Sequence, residues 1–482
     1  MFEKSIMVGR IEFSLRGDNL LAMATALVGA SIAASLFYTP IPFVILLAIP
    51  CCFYFISRPY ELLLVMVFLI PFNFVFTIGP IPVAAELLKV LVWIPLVVER
   101  SGRGLLFKMS RYGKWFAVWG GIICLSLLHS YDLPYTFKES VRLGSNIGLV
   151  YLCLNLVDSR EKIFQIFRVL AVSTFLVACY GFYQYAIKDY GALFWIVNPR
   201  LDTNLSHGRF TFWLWRDRIT SVLTSEMELG HYFNLSLPLG VVLWLTEGRR
   251  RIGSKWFLII VAMLAGLLLT FTFGAWLALT ATMAFFILLF DRRRRWKMLL
   301  AGVLVLALFT GLLLFSPVRP YMEDKALGSG IGSLAWDVLT RLDSWLFALQ
   351  TWWSHPVLGV GIGNYEYLEY AHEYIHSPWG PSGSTPHETY LYLLAEAGIV
   401  GLVSMMAVVF GSIRSNLSLK ANPEWGMIAL ALAFALITNI VGWFGDDSTF
   451  FGPHTSYLVW LLIGLSETIR HLSLHPVALA EA

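Results

Sequence analysis

The sequence predicts an all-α integral membrane protein, a polytopic helical bundle of about 12–14 transmembrane helices with two large extracytoplasmic loops. Three observations predict it. Of 482 residues, 57% are apolar or aromatic and 14% carry a charge, against roughly half and a quarter in soluble domains. The apolar residues fall in runs of about 17–25, the length that a hydrocarbon core of about 30 Å demands of a helix. Finally, Lys and Arg collect in alternate loops, as the positive-inside rule requires. This balance excludes a single-pass anchor, a disordered chain and a secreted disulfide scaffold.

The first run, 19–37, follows a basic N-terminus (Lys4, Arg10, Arg16). It lacks a small-residue cleavage site, so it reads as an anchor and not as a removed signal. Runs at 41–57, 60–77, 82–98, 113–129, 142–157 and 163–187 complete an N-terminal set over 1–187. After a loop at 188–228 come 229–246, 254–271, 273–290 and 297–315, a central set over 229–315. A second loop, 316–387, precedes the C-terminal set 388–482, with runs at 388–411, 425–442 and 455–469.

With the N-terminus in the cytoplasm, about 24 Lys and Arg fall inside and about 11 outside, and both termini are cytoplasmic. The run Arg292–Arg295 is then a short cytoplasmic loop, and no nucleic-acid partner is expected. Cys51, Cys52, Cys124, Cys153 and Cys179 all lie in the runs, without metal spacing, and read as core packing. The runs look nearly free of charge, so the chemistry is expected in the two outer loops.

Those loops are rich in aromatic residues and arginine, which argues against disorder. From Leu334 to Trp353, apolar residues recur at helical spacing (Leu334, Val338, Leu342, Trp345, Leu349, Trp352), with Asp337 and Arg341 one turn apart. The pattern predicts an interfacial helix at the outer surface. Further on, His372-Glu373-Tyr374-Ile375-His376 matches H-E-x-x-H, a zinc-protease pattern. Its extended form fails, because Trp379 and Ser382 stand where Gly and His belong, and Ser377-Pro378 follows at once. A membrane metalloprotease is therefore kept only as an alternative.

Thr385-Pro386-His387-Glu388 reads as a capping box: Thr385 at the N-cap, Pro386 at the first helical position and Glu388 at the third. His387 then sits in the first turn of a membrane helix, whose positive end disfavours imidazolium and leaves the ring a base. Glu396 lies about 13 Å deeper on that helix, where an ionisable group is functional or paired. Gly398 and Gly401 suit close helix packing. Upstream, the Gly-rich string His355 to Asn364, with Gly361 and Gly363, is either a tight turn or a phosphate cradle. The outer loops prefer Arg to Lys (Arg200, Arg209, Arg216, Arg218, Arg319, Arg341). The guanidinium fork grips phosphate oxygens in pairs, which suits a lipid-linked phosphate or diphosphate.

These motifs together resemble bacterial O-antigen ligases and polymerases. The resemblance rests on His355-Pro356 through Gly359-Val360-Gly361-Ile362-Gly363-Asn364, on His387 leading into Leu391, Glu396, Gly398 and Gly401, on Arg341-Leu342, and on Arg218-Ile219 ahead of Pro238 and Gly240. It covers roughly residues 215–405. It implies a metal-independent inverting glycosyltransferase of the glycosyltransferase-C type in the bacterial inner membrane, with a periplasmic active site and no cofactor. The implied donor is a glycan on undecaprenyl diphosphate, and the acceptor is lipid A-core or a growing glycan. His387 would be the base and Arg218 and Arg341 the diphosphate ligands, with Arg216 and Arg209 as further candidates. Glu388, Glu396, Gly361, Gly363 and Asn364 would support them. Two departures stand out: Phe273 replaces a family arginine, and Glu388 follows the histidine in place of a small polar residue. The rival from another class is a transporter or flippase for the same lipid-linked sugars.

Overall fold

The computed structural model describes residues 58–72, 77–78, 81–102, 104–187, 218–223, 225–288, 334–370, 386–452 and 454–474. The chain divides into units at 1–61 and 62–482, and the architecture below belongs to the second. The fold is helical. In chain order run α1 (Pro59–Leu69), α2 (Val83–Gly102), α3 (Gly113–Leu128), α4 (Leu133–Leu156) and α5 (Arg160–Ile187). Then come α6 (Glu226–Thr246), α7 (Lys255–Leu269), α8 (Phe273–Leu288), α9 (Leu334–Ser354) and the short α10 (Tyr365–Tyr370). The last are α11 (Thr389–Ser418), α12 (Gly426–Gly442), the single turn α13 (Ser448–Phe451) and α14 (Thr455–Leu474). A two-residue antiparallel pair, Thr77–Ile78 with Ile81–Pro82, turns the chain into α2.

The boundaries follow the caps. Ser225 opens α6 by accepting from Glu228 N at 3.1 Å, and Ser254 opens α7 by accepting from Phe257 N at 3.3 Å. Such caps satisfy helix-end N–H groups that otherwise lack partners. Asp132 accepts from Tyr135 N with Pro134 in the first turn, so α4 begins nine residues before the predicted 142. The apolar run is broken there by Lys138, Glu139 and Arg142, but Glu139 pairs with both cations and the helix continues.

α14 is buried along nearly its whole length and packs on α4, where Gly464 meets Cys153. α6 packs against α5, α7 and α12, and α11 against α3, α9 and α12. Gly401 lets α11 approach Trp119 of α3. Among the described residues, two helices, Arg160–Ile187 and Thr389–Ser418, are long and apolar enough to cross a membrane, and five shorter ones are apolar. Their outward faces carry bare Leu176, Leu258, Leu277, Val403 and Phe410, an arrangement suited to lipid and costly in water. The runs at 19–37, 41–57 and 297–315 lie outside the described residues, as do Cys51 and Cys52.

Two expectations are corrected. The helices are not charge-free: Lys89, Glu139, Glu396 and Glu467 are buried, each with partners. Lys89 donates to Asn146 Oδ1 at 2.7 Å and lies 3.5 Å from the Tyr457 ring centroid. Among the described cysteines only Cys153 is buried in the core; Cys124 and Cys179 are exposed.

The feature that shapes the site is a break in α11. At Gly398 the backbone takes φ 62°, ψ −168°, outside helical space. The Gly-rich loop enters the break and bonds the freed groups. Val360 N and Gly361 N donate to the carbonyls of Ala395 and Glu396, while Ile399 N and Val400 N donate to those of Pro356 and Val357. Gly359 and Gly398 are glycines because a Cβ on either would strike the other segment's backbone.

Candidate active site

The helix carrying His387 starts later than predicted. Glu388 is itself the N-cap, extended at φ −153°, with its carboxylate accepting from Leu391 N at 2.5 Å, and the first helical residue is Thr389. Thr385 lies outside the described residues. A carboxylate directly ahead of a helix competes successfully for the cap, so His387 is displaced out of the first turn into the preceding bend. It sits there at φ 51°, a left-handed conformation that a non-glycine residue adopts only at some cost. Burial pushes the Glu388 carboxyl up to about 7; two backbone N–H bonds oppose this and Asp447 reinforces it.

Around His387 the chain is pinned from two sides. Trp345 Nε1 on α9 donates to Pro386 O at 2.9 Å. Thr389 N donates to Trp443 O at 3.0 Å, and the Thr389 hydroxyl to Asp446 O at 2.9 Å. The turn after α12, residues 443–447, is therefore fastened beneath His387. Arg341, four residues before Trp345 on α9, reaches the same turn and donates to Gly445 O at 2.9 Å. Ligand atoms of His387, Asp446 and Asp447 all lie within 4.8 Å of one another. Asp446 is also 3.4 Å from His231 Nε2 of α6. The site thus joins one histidine, two buried aspartates and one half-buried arginine contributed by three separate segments.

Arg218 is held by different partners. Its guanidinium pairs with Glu226 in the first turn of α6 and donates to Phe271 O at 2.7 Å, while its buried Nε lacks a partner. Phe271 has φ 49° and nearby Ser221 φ 54°, so two further strained residues flank this arginine. Phe273 opens α8 with its ring against Trp276, and the guanidinium of Arg218 arrives two residues earlier. A cation therefore does stand at the start of α8. Beside it Glu228, fully buried, accepts from His454 N and Thr455 N and caps α14. Arg209, Arg216 and the segment His372 to His376 lie outside the described residues, as does the side chain of Asp337.

The supporting residues have structural work to do. Glu396 accepts from Gly363 N at 2.8 Å and Tyr365 N at 3.4 Å. Asn364 donates to Val360 O and accepts from Tyr131 N. Ile362 N donates to the Ser126 hydroxyl and Gly359 N to His355 O. Every backbone N–H from Gly359 to Tyr365 thus has an internal acceptor, which decides between the two readings of this string: it is a turn and not a phosphate cradle. Glu366 on α10 accepts from the hydroxyls of Tyr135 and Tyr392 at 2.5 and 2.9 Å, and burial raises its carboxyl above the usual range. Next to the inserted loop lies a cavity of about 580 Å³, with His129, Tyr131 and His355 on its walls. Tyr131 stacks on Tyr367 there, at 5.9 Å between centroids.

The predicted helix on the second loop is present. Its small and polar side, Thr340, Asp343, Ser344, Ala348 and Thr351, faces the protein, while Val338, Leu342, Leu346 and Trp353 point outward. Sequence reasoning missed Asp446, Asp447, His454 and His231. A doublet of acids after Gly445, in a short loop between two apolar runs, was the available signal.

Residues 258–406 match the family described as O-antigen ligase. A Rickettsia felis protein named "Putative polysaccharide ligase" is 22% identical over 188 residues, and a Rickettsia conorii protein of like name is 23% identical over the same length. Each alignment covers 38% of this chain and 44% of the relative, so the chain spans less than half the length of the curated relatives it matches. The family match includes Arg341, His387 and the whole inserted loop, and starts after Arg218. The resemblance to O-antigen ligases that the motifs carry is thereby shown for residues 258–406.

Proposed function

We propose that this chain is a polytopic inner-membrane glycosyltransferase that moves a glycan from undecaprenyl diphosphate to an acceptor sugar at the outer membrane face. The observation that carries the proposal is the convergence of Arg341 and His387 on the Gly445–Asp447 turn. His387 accepts the proton of the acceptor hydroxyl as that oxygen bonds to the anomeric carbon. The bond from that carbon to the diphosphate oxygen breaks, and the configuration inverts. Asp446 and Asp447 stabilise the imidazolium so formed, as a carboxylate beside a catalytic histidine does. Arg341, and Arg218 from its own station, neutralise the charge growing on the diphosphate. The cavity beside Tyr131 and Tyr367 offers room and aromatic faces for sugar rings.

Purified His387→Ala supplied with lipid-linked donor and acceptor should give no transfer while keeping the chain's melting behaviour; near-normal turnover would overturn the assignment. Transfer by wild type in detergent, with no second compartment, separates an enzyme from a transporter or flippase. A second reading follows from the same trio: His387, Asp446 and Asp447 are close enough to share a divalent cation. Activity that survives chelation supports the metal-independent route, and activity restored only by an added divalent cation supports the other. Deletion followed by a gel of surface polysaccharide distinguishes ligase from polymerase: unattached lipid-linked polymer indicates the first, a single repeat on the acceptor the second.

A further inference from the structure

At the end of the bundle away from His387 lies a second polar concavity. α11 runs for 30 residues from the candidate site, about 45 Å at helical rise, and its far end carries Arg414, Ser415 and Ser418. With Arg111 and Trp115 at the start of α3 and Arg470 near the end of α14, these residues line an open cavity of about 370 Å³. Arg111 is committed within the protein: its Nε pairs with Glu467 at 2.7 Å and it donates to Gly411 O at 3.0 Å. The other two arginines are not. Among the described residues neither Arg414 nor Arg470 pairs with a carboxylate, and Arg414 is exposed. Ser415, 6% exposed, lines the same cavity with a buried hydroxyl that has no hydrogen-bond partner.

A buried hydroxyl without a partner is unfavourable, and two guanidiniums without carboxylate partners line the same cavity. An anion with several acceptor oxygens there would serve all three groups. A phosphate group fits: the guanidinium fork takes two of its oxygens and a serine hydroxyl a third. The cavity opens between helices whose outward faces are apolar, with Trp115 at its rim, and tryptophan concentrates where headgroups begin.

We propose that this cavity is a binding site for the phosphate headgroup of an anionic membrane phospholipid, held by Arg414, Arg470 and Ser415 in the leaflet opposite the candidate active site. The site takes no part in glycosyl transfer. Basic pockets between membrane helices take anionic headgroups in this manner.

Native mass spectrometry of the delipidated full chain, titrated with phosphatidylglycerol, phosphatidylcholine or inorganic phosphate, tests the assignment. One equivalent of phosphatidylglycerol should be retained at least about tenfold more tightly than phosphatidylcholine, and Arg414→Gln/Arg470→Gln should lose that preference. Arg414→Lys/Arg470→Lys keeps the charge and should weaken retention a few-fold, which covers the case in which the neutral variant does not fold. Ser415→Val should weaken it while leaving both arginines in place. Equal retention of the two lipids by wild type, or unchanged retention of phosphatidylglycerol in the lysine and valine variants, would overturn the proposal. Retention of inorganic phosphate as tight as that of phosphatidylglycerol would assign the cavity to a free anion instead.

Discussion

Gly398→Ala attacks the break in α11 from which the site hangs. The backbone at φ 62°, ψ −168° lies in a region that glycine alone populates readily, so alanine there incurs about 1–3 kcal/mol of strain. Sterics add to it, because the new Cβ would fall on the carbonyl of Val357 and crowd Leu358 N at 2.5 Å. These are backbone atoms of the inserted loop and cannot rotate aside. If the loop retreats, the four bonds that Val360, Gly361, Ile399 and Val400 make across the break are endangered. Losing two of them costs a further ~1–3 kcal/mol at about 0.5–1.5 kcal/mol each. The expected penalty is therefore about 2–6 kcal/mol. It should appear as an apparent melting temperature several degrees lower in detergent, read by fluorescence-detected size exclusion. Gly274→Ala is the control, since a Cβ there meets nothing within 4 Å. A Gly398→Ala protein that melts and transfers glycan like wild type would refute the inserted-loop architecture.

Further outcomes follow from the site. Arg341→Lys should keep the bond to Gly445 O yet lose at least about tenfold in kcat/KM, because an ammonium cannot grip two phosphate oxygens; steady-state kinetics with lipid-linked donor check this. Arg218→Lys should lower both activity and melting temperature, since one ammonium cannot satisfy Glu226 and Phe271 O together; unchanged melting would mean that this arginine serves only the ligand. Burial raises the Glu366 carboxyl in the folded protein, so the stability it contributes is present below the ordinary carboxylate range and is lost as pH climbs above it. The melting temperature of wild type should therefore fall relative to Glu366→Gln between pH 4.5 and 8, and a constant gap would contradict the assigned burial.

Much of the fold was legible in the chain because lipid imposes a simple code. A helix end shows as a charge, proline or capping residue after about 20 apolar positions, and the predicted runs from 82–98 to 455–469 recur as described helices wherever the structure describes them. α4 was shortened because Lys138, Glu139 and Arg142 look like a boundary until their mutual pairing is seen. The candidate site was legible in part. His387 and Arg341 stood out through the capping pattern, the arginine preference and the family motifs. The aspartates did not, because nothing local ties residue 446 to residue 387; the link is the hydrogen bond from Thr389 to Asp446 O.

The sequence by itself determined that the chain is helical and suited to lipid, and it pointed to arginines beside a histidine as the candidate site. Composition and periodicity are properties of short segments, and a segment carries them wherever it ends up. Tertiary structure alone decided what the polar residues do. It made the Gly-rich string a plug in a broken helix and not a phosphate cradle. It moved His387 out of the helix by giving the cap to Glu388, and it brought Asp446 and Asp447 beside it. The physical reason is that a backbone N–H or a carboxylate has no fixed role until its partner is known. Here those partners lie 33 to 60 residues away along the chain, brought together by the packing of α9, α11 and α12.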